Sequence, residues 1–214
     1  MKARHLITAL LFLCLTGCRT NSTSEIPYFS EDDLTPLWED VRTVSKESHR
    51  QISDFSFTDQ NGEQISAASV AGRPYVTSFF FASCTNICPT LKTRLTAVSE
   101  AYDQDQITIL SHSVTPDLDT VERLAAYSEI NNIDDRQWKL LTGTKSDILN
   151  VAVNSYGAQL QNYSSGLPGE EEFLHTETVY LVDGDGYIRG LYNGTLQLDI
   201  RQLISDLEVL LEEA

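Results

Sequence analysis

The sequence predicts an α/β fold in which a central mixed sheet is flanked by helices and entered through an N-terminal β-hairpin. Three observations carry that expectation. Segments rich in β-branched and aromatic residues alternate with segments whose apolar residues recur at helical spacing. One of the strand patterns, "PYVTSFFFA" at 74–82, holds no charge, as suits a strand covered on both faces. Ahead of it, apolar residues alternate on both sides of Asn61-Gly62, a pair that favours a tight hairpin turn.

The hairpin is expected over "ISDFSFTDQNGEQIS", 52–66, and the central strand over 74–82. "PTLKTRLTAVSEAYDQ" then sets Leu91, Leu95, Val98 and Tyr102 at helical spacing. Pro89 falls in the first turn, where a missing N–H leaves no helical bond unmade. A strand at "QITILSHSV", a helix from about Asp119 to Ile130, a short strand at "WKLLT" and a helix over "SDILNVAVNSYG" follow. A polar loop, "AQLQNYSSGLPGEEEFLH", leads to strand "ETVYLVD", the turn Gly184-Asp185-Gly186, strand "YIRGLYNG" and a closing amphipathic helix from Gln197 to Leu211. No internal repeat or low-complexity tract interrupts this order.

With 214 residues, 41% of them hydrophobic, the chain can bury the core of one ordinary domain without disulfide help. The formal net charge of -16 argues against nucleic acid and against simple electrostatic binding to an anionic lipid surface. A cationic partner, protein or metal ion, is favoured instead.

The N-terminus reads as an export signal. Lys2 and Arg4 precede the apolar run "LITALLFLCL", too short for a stable span, and "LTGC" closes it at 15–18. That ending resembles the lipobox of bacterial lipoproteins, which implies cleavage before Cys18, lipidation of Cys18 and a domain tethered on the extracytoplasmic side of a membrane. A plain secretory signal or an uncleaved anchor is the alternative. The expected organisation is a signal at 1–17, an anchor and partly ordered linker at 18–50, and the folded domain at 51–214, with Trp38 and His49 in the linker and Trp38 read as a packing residue.

Four cysteines occur. Cys14 leaves with the signal and Cys18 takes the lipid, so Cys84 and Cys88 remain to answer to each other in an oxidising compartment. They fall where a strand end meets a helix start, the usual place for a site in an α/β sheet. The helix N-terminus is expected to favour thiolate, at Cys88 in particular. A structural disulfide across so small a loop would restrict the unfolded chain little. A dithiol redox couple and a metal grip stay open, since three intervening residues alter the geometry of the two-residue redox motif without forbidding a disulfide.

A metal needs a further ligand. Of four histidines, His5 leaves with the signal and His112 lies inside an apolar strand, where core packing or a supporting role beneath a site is expected. His175 closes the long polar loop just before a strand. Two thiolates and one imidazole form a soft site that suits copper, Cu(I) on the sulfurs and Cu(II) once the imidazole joins. Zinc would want a fourth ligand. The run Glu170-Glu171-Glu172 reads as a solvated loop, and Asp183 and Asp185 as turn residues.

"SFFFASCTNICPTLKTRL" and "HTETVYLVDGDGYIRGLY" resemble, in the right order, the Cys-x-x-x-Cys-Pro and His-Ser/Thr segments of the Sco/SenC copper chaperones. "SVTPDLDTVERLAAYSE" at 113–129 is similar to a third stretch of that family. The resemblance covers roughly 50–212 and implies a thioredoxin-like fold with copper held by Cys84, Cys88 and His175. It implies a metallochaperone rather than an enzyme, presenting copper to cytochrome c oxidase subunit II or another cuproprotein. Thiol-disulfide activity on that subunit's cysteines is the other implied role, with Cys84 and Cys88 as the disulfide and a thiol-disulfide reductase as a further partner. The rivals are a thiol-disulfide oxidoreductase or related peroxidase using the same pair, and a redox or copper sensor acting through a partner.

Three departures from the family pattern stand out. Thr115 replaces its aspartate and Val121 its frequent proline, and Asp117 or Asp119 is then the candidate to take the aspartate's place. "GEEEFLH" also replaces the usual aromatic and aspartate run before the histidine.

Overall fold

The computed structural model describes residues 26–38, 48–159 and 177–213. The export segment, Cys18, the acidic run at 170–172 and His175 lie outside the described residues.

Two short strands, β1 (Tyr28–Phe29) and β2 (Pro36–Leu37), pair antiparallel ahead of the domain. The expected hairpin follows as β3 (Ser56–Thr58) and β4 (Gln64–Ser66). Its loop has three residues, 60–62, closed by the Asp59 N–H donating to the Glu63 carbonyl at 2.9 Å. Gly62 takes φ 79° there, a left-handed position that glycine fills without strain. Helix α1 (Ala67–Val70) leads into β5 (Tyr75–Phe80).

The remaining elements are α2 (Ile87–Ala101), β6 (Thr108–Ser113), α3 (Val121–Ile130), β7 (Trp138–Leu141) and α4 (Lys145–Asn150), the last running on as a π-helical turn over Val151–Ser155. After the residues not described come β8 (Thr178–Val182), β9 (Ile188–Asn193) and α5 (Gln197–Glu213). The main sheet has the order β7-β6-β5-β8-β9. β5, β6 and β7 run parallel, while β8 and β9 run antiparallel to their neighbours. This is the central mixed sheet the sequence predicted.

All six residues of β5 are buried, because the sheet is covered on both faces. Alternate side chains go to opposite sides. Tyr75 and Phe79 join Phe57, Ile65, Leu110, Leu141, Tyr156 and Tyr180 on the hairpin side. Val76 and Phe80 join Leu91, Leu95, Val98, Leu124, Leu203 and Leu207 beneath the helices. A strand enclosed in this way has no water-facing side to record as polar alternation.

The stretch expected as linker is in part a packed element. The Arg189 guanidinium, only 3% exposed, donates to the carbonyls of Ile26 (2.9 Å) and Pro27 (3.2 Å) and lies 4.1 Å above the Tyr28 ring. His49 is buried and stacks on Tyr28 at 4.6 Å, so it belongs to this cluster and not to a free linker. Trp38 corrects the expectation in the other direction: it is 67% exposed and is no core residue.

Candidate metal and dithiol site

After β5 the chain turns sharply, and the Cys84 N–H donates to the Phe81 carbonyl at 3.1 Å. Helix α2 opens at Ile87, so Cys84 stands just ahead of the helix and Cys88 is its second residue. The first-turn N–H groups of a helix lack carbonyl partners within it. One of them, the Cys88 N–H, donates to the Cys84 sulfur at 3.4 Å.

This arrangement reverses the expected roles of the two thiols. Burial acts to raise the Cys84 thiol, yet the Cys88 thiol and the backbone N–H groups of Cys88, Asn86 and Ile87 together hold it below the ordinary thiol range. Cys88, wound into the helix and only 6% exposed, is pushed up to about 12, by burial first and then by the Cys84 sulfur beside it. The positive end of the helix acts on the sulfur outside it, while the sulfur inside loses its hydration. Both cysteines are free thiols. Beside Cys88, between Ser78, Phe80, Leu91, Ser111, Tyr127 and Trp138, remains about 10 Å³, room for at most one water. Any ion must therefore approach from the Cys84 side.

The neighbouring loop between β6 and α3 supplies a wholly buried carboxylate. Asp119 Oδ2 accepts from the Ala82 N–H (3.0 Å), the Ser113 hydroxyl (2.6 Å) and the Thr115 hydroxyl (3.0 Å). Arg123 Nε lies 3.4 Å from Oδ1. Of the two aspartates considered in place of the family's carboxylate, Asp119 is the one turned inward, and Asp117 is exposed. Thr115 here acts as its hydrogen-bond donor.

Tyr127 was not foreseen at the site. Two turns into α3, it packs on Phe80 at 5.6 Å. Its phenol is pushed up to about 12, by burial first and then by the charges of Cys88, Cys84 and Asp119. Its spacing from Thr120 along the helix face was the only available signal, and that spacing also fits an ordinary core residue.

His112 is where the strand pattern put it, fully buried between Phe79 (5.3 Å, stacked), Phe57 (5.3 Å) and Phe55 (6.0 Å). Neither ring nitrogen has a hydrogen-bond partner, and burial pushes its pKa down to about 3. It belongs to the core on the hairpin side of the sheet, whereas Cys88 packs on the helix side. Among the described residues no group of three or more His, Cys, Asp and Glu side chains forms a metal cluster.

Fold and site together define a thioredoxin-like protein with a half-buried cysteine and a buried one just beyond its central strand. The chain belongs to the SCO1/SenC family, whose model matches residues 43–212. A SCO1/SenC family lipoprotein from Bacillus anthracis is similar with TM-score 0.66 and 25% identity over 75% of this chain and 94% of that one. BsSco, a member of the Sco family of cytochrome c oxidase assembly proteins in which a disulfide switch was identified, gives TM-score 0.66 and 26% identity over 77% and 95%. Bradyrhizobium japonicum ScoI, solved with copper bound, gives TM-score 0.60 and 25% identity over 74% and 98%.

Proposed function

We propose that this chain is a membrane-tethered copper chaperone, lipid-anchored at Cys18 on the extracytoplasmic side, that binds one copper ion through Cys84, Cys88 and His175. Its client in this reading is the copper centre of cytochrome c oxidase subunit II. The observation that carries the reading is the pair of thiols at the end of β5, one half-buried and activated and one buried, in a chain of a family with a copper-bound member.

The donor set fits copper. Two sulfurs are soft ligands suited to Cu(I), and an imidazole would extend the site to Cu(II). His112 sits in the aromatic core and His49 stacks on Tyr28 beside Tyr187, at the far end of the sheet from the thiols. Both are thereby removed as candidates, which favours His175. Strand β8 runs antiparallel to β5, with Thr77 opposite Tyr180 and Tyr75 opposite Val182. Its first residues therefore start at the thiol end of the sheet. Glu177, two positions after His175 in the sequence, accepts from the Gly194 N–H at 2.7 Å, and Gly194 lies against Leu91 of α2.

The test is copper binding by the reduced full chain beside His175→Ala and a Cys84→Ser/Cys88→Ser variant. One copper per wild-type chain is expected, with the Cu(II) thiolate charge-transfer band lost or displaced in His175→Ala. Unchanged copper affinity in the double cysteine variant would sink the assignment.

A second reading has its own support. The lowered Cys84 thiol beside a raised Cys88 thiol is the asymmetry a dithiol couple uses, one sulfur to attack and one to resolve. In that reading the protein reduces a disulfide of its client and His175→Ala changes little.

A further inference from the structure

We propose that Asp119 is a positioning residue for the dithiol site: its carboxylate clamps the start of the Cys84 loop to the N-terminal end of α3, and so fixes where Cys84 stands relative to Tyr127. The proposal rests on Cys84 and Cys88 being the working groups, whether they serve copper or a disulfide.

A fully buried carboxylate is an expensive way to join two loops, and apolar packing of the same volume is often as stable. Asp119 is nonetheless 0% exposed, and Arg123, its ion-pair partner, is itself 44% exposed. The three donors to Oδ2 come from separate places: Ala82 after β5, Ser113 at the end of β6, and Thr115 in the loop beyond it. One oxygen thus gathers both chain segments that border the thiols.

The bond to Ala82 matters most for the site. Only Ser83 separates that anchored amide from Cys84, and the Cys84 N–H folds back on Phe81 at 3.1 Å. The sulfur therefore has little backbone freedom between its anchor and the helix that follows. On the other side, Asp119 directly precedes Thr120, whose hydroxyl accepts from the Arg123 N–H as the cap of α3. Tyr127 rides on that helix and packs on Phe80, two residues before Ala82. Through Asp119 the phenol and the thiols share one frame.

The experiment uses the copper-free full chain. The Cys84–Cys88 pair is equilibrated with reduced and oxidised dithiothreitol, the two electrons and two protons released on disulfide formation passing to oxidised dithiothreitol, and the fraction oxidised is read by thiol trapping. Amide exchange at Ala82 is followed in parallel. Asp119→Ala is expected to speed Ala82 exchange at least ten-fold and to change the equilibrium constant ten-fold or more, about 30 mV for this two-electron couple. Asp119→Asn keeps an oxygen for the Ala82 N–H and is expected to restore both values to within three-fold of the parent.

Leu207→Ala, a truncation in the core at α5, is the control for general destabilisation. An equilibrium constant unchanged in Asp119→Ala, an equal change in Leu207→Ala, or an asparagine variant as altered as the alanine one would each overturn the proposal. If the alanine variant does not fold, the asparagine variant decides. Ala82 protection and the equilibrium constant must then both stay within three-fold of the parent, and the loss of either overturns the proposal. No copper enters these measurements, so a failed copper assignment leaves their outcome intact.

Discussion

The Cys88 N–H points at the Cys84 sulfur, 3.4 Å away, and is one of the contacts that set the two thiols apart, beside the burial of Cys88. Cys84 lies beyond the helix and gathers its free N–H groups, while Cys88 lies within the helix and is buried. At pH 7.5 one equivalent of iodoacetamide is therefore expected to modify Cys84 at least ten-fold faster than Cys88. The Cys84→Ser variant should stay nearly unreactive until the pH is well above 9. Peptide mass mapping after short exposures checks both, and preferential labelling of Cys88 would refute the assignment.

The same pair shows how far the sequence could be read. The strand before Cys84 and the helix after it follow from an uncharged β-branched run and from Leu91, Leu95 and Val98, and their junction marks the site. Which thiol the helix end activates depends on whether the first helical residue falls before or after each sulfur. A one-residue question of that kind is settled by the turn at 81–86 and not by periodicity. Asp119 was legible only as a candidate, because its partner Ala82, in the turn after β5, is 37 positions away in the sequence. Arg189 and the strand at 28–29 were not legible, since the apolar residues at 26–29 are too few to show a period and the contact that pins them runs from Arg189 to the backbone carbonyls of Ile26 and Pro27.

Among the described residues His112 gives the clearest pH dependence. Among the described residues the one titratable ring facing it is Tyr156, 6.2 Å away between centroids, and its other ring contacts are phenylalanines. Its folded-state pKa of about 3 lies below that of an unfolded histidine, near 6.5. The unfolded chain therefore takes up the proton first as pH falls. Stability is lost from about pH 6.5 downward, at up to about 1.4 kcal/mol per pH unit, until the folded form titrates. His112→Phe removes that loss and two orphaned nitrogens. Relative to the parent, it should gain about 2 kcal/mol more at pH 5 than at pH 7.5. Urea melts at the two pH values measure the difference, and an equal effect at both would mean that the imidazole takes up its proton as readily in the fold as in the unfolded chain.

Arg189 offers a test of the packed N-terminal segment. Besides the two carbonyls it donates to Asp183 at 3.3 Å and lies 3.6 Å from a Glu213 oxygen. Asp183 is itself raised by burial, which its hydrogen bonds and Arg189 oppose. Arg189→Ala leaves that carboxylate without its cation and is expected to cost about 3 kcal/mol. Hydrogen exchange at 26–30 should rise by more than the global loss of stability explains. Loss of stability with protection at 26–30 intact would show that the segment is held by other contacts.

Gly194 connects the end of β9 to the thiol helix. A Cβ there would stand 2.3 Å from Leu91 Cδ1, 2.6 Å from Val179 Cγ2 and 3.0 Å from the Glu177 carbonyl. The leucine end can swing aside, but Val179 is fully buried in β8 and the carbonyl is backbone. Gly194→Ala must therefore displace the start of β8, at a cost of about 1–3 kcal/mol. Glu177 is two residues beyond His175, so the displacement reaches the chain that carries the proposed third ligand. If His175 completes the copper site, Gly194→Ala should weaken Cu(II) and alter its thiolate band while leaving Cu(I), held by the two sulfurs, closer to the parent. Titration of both oxidation states against a competing chelator separates the cases. Equal losses for Cu(I) and Cu(II) would trace the effect to α2 and the cysteines through Leu91, and an unchanged pair of affinities would show that the start of β8 does not set the geometry of the site.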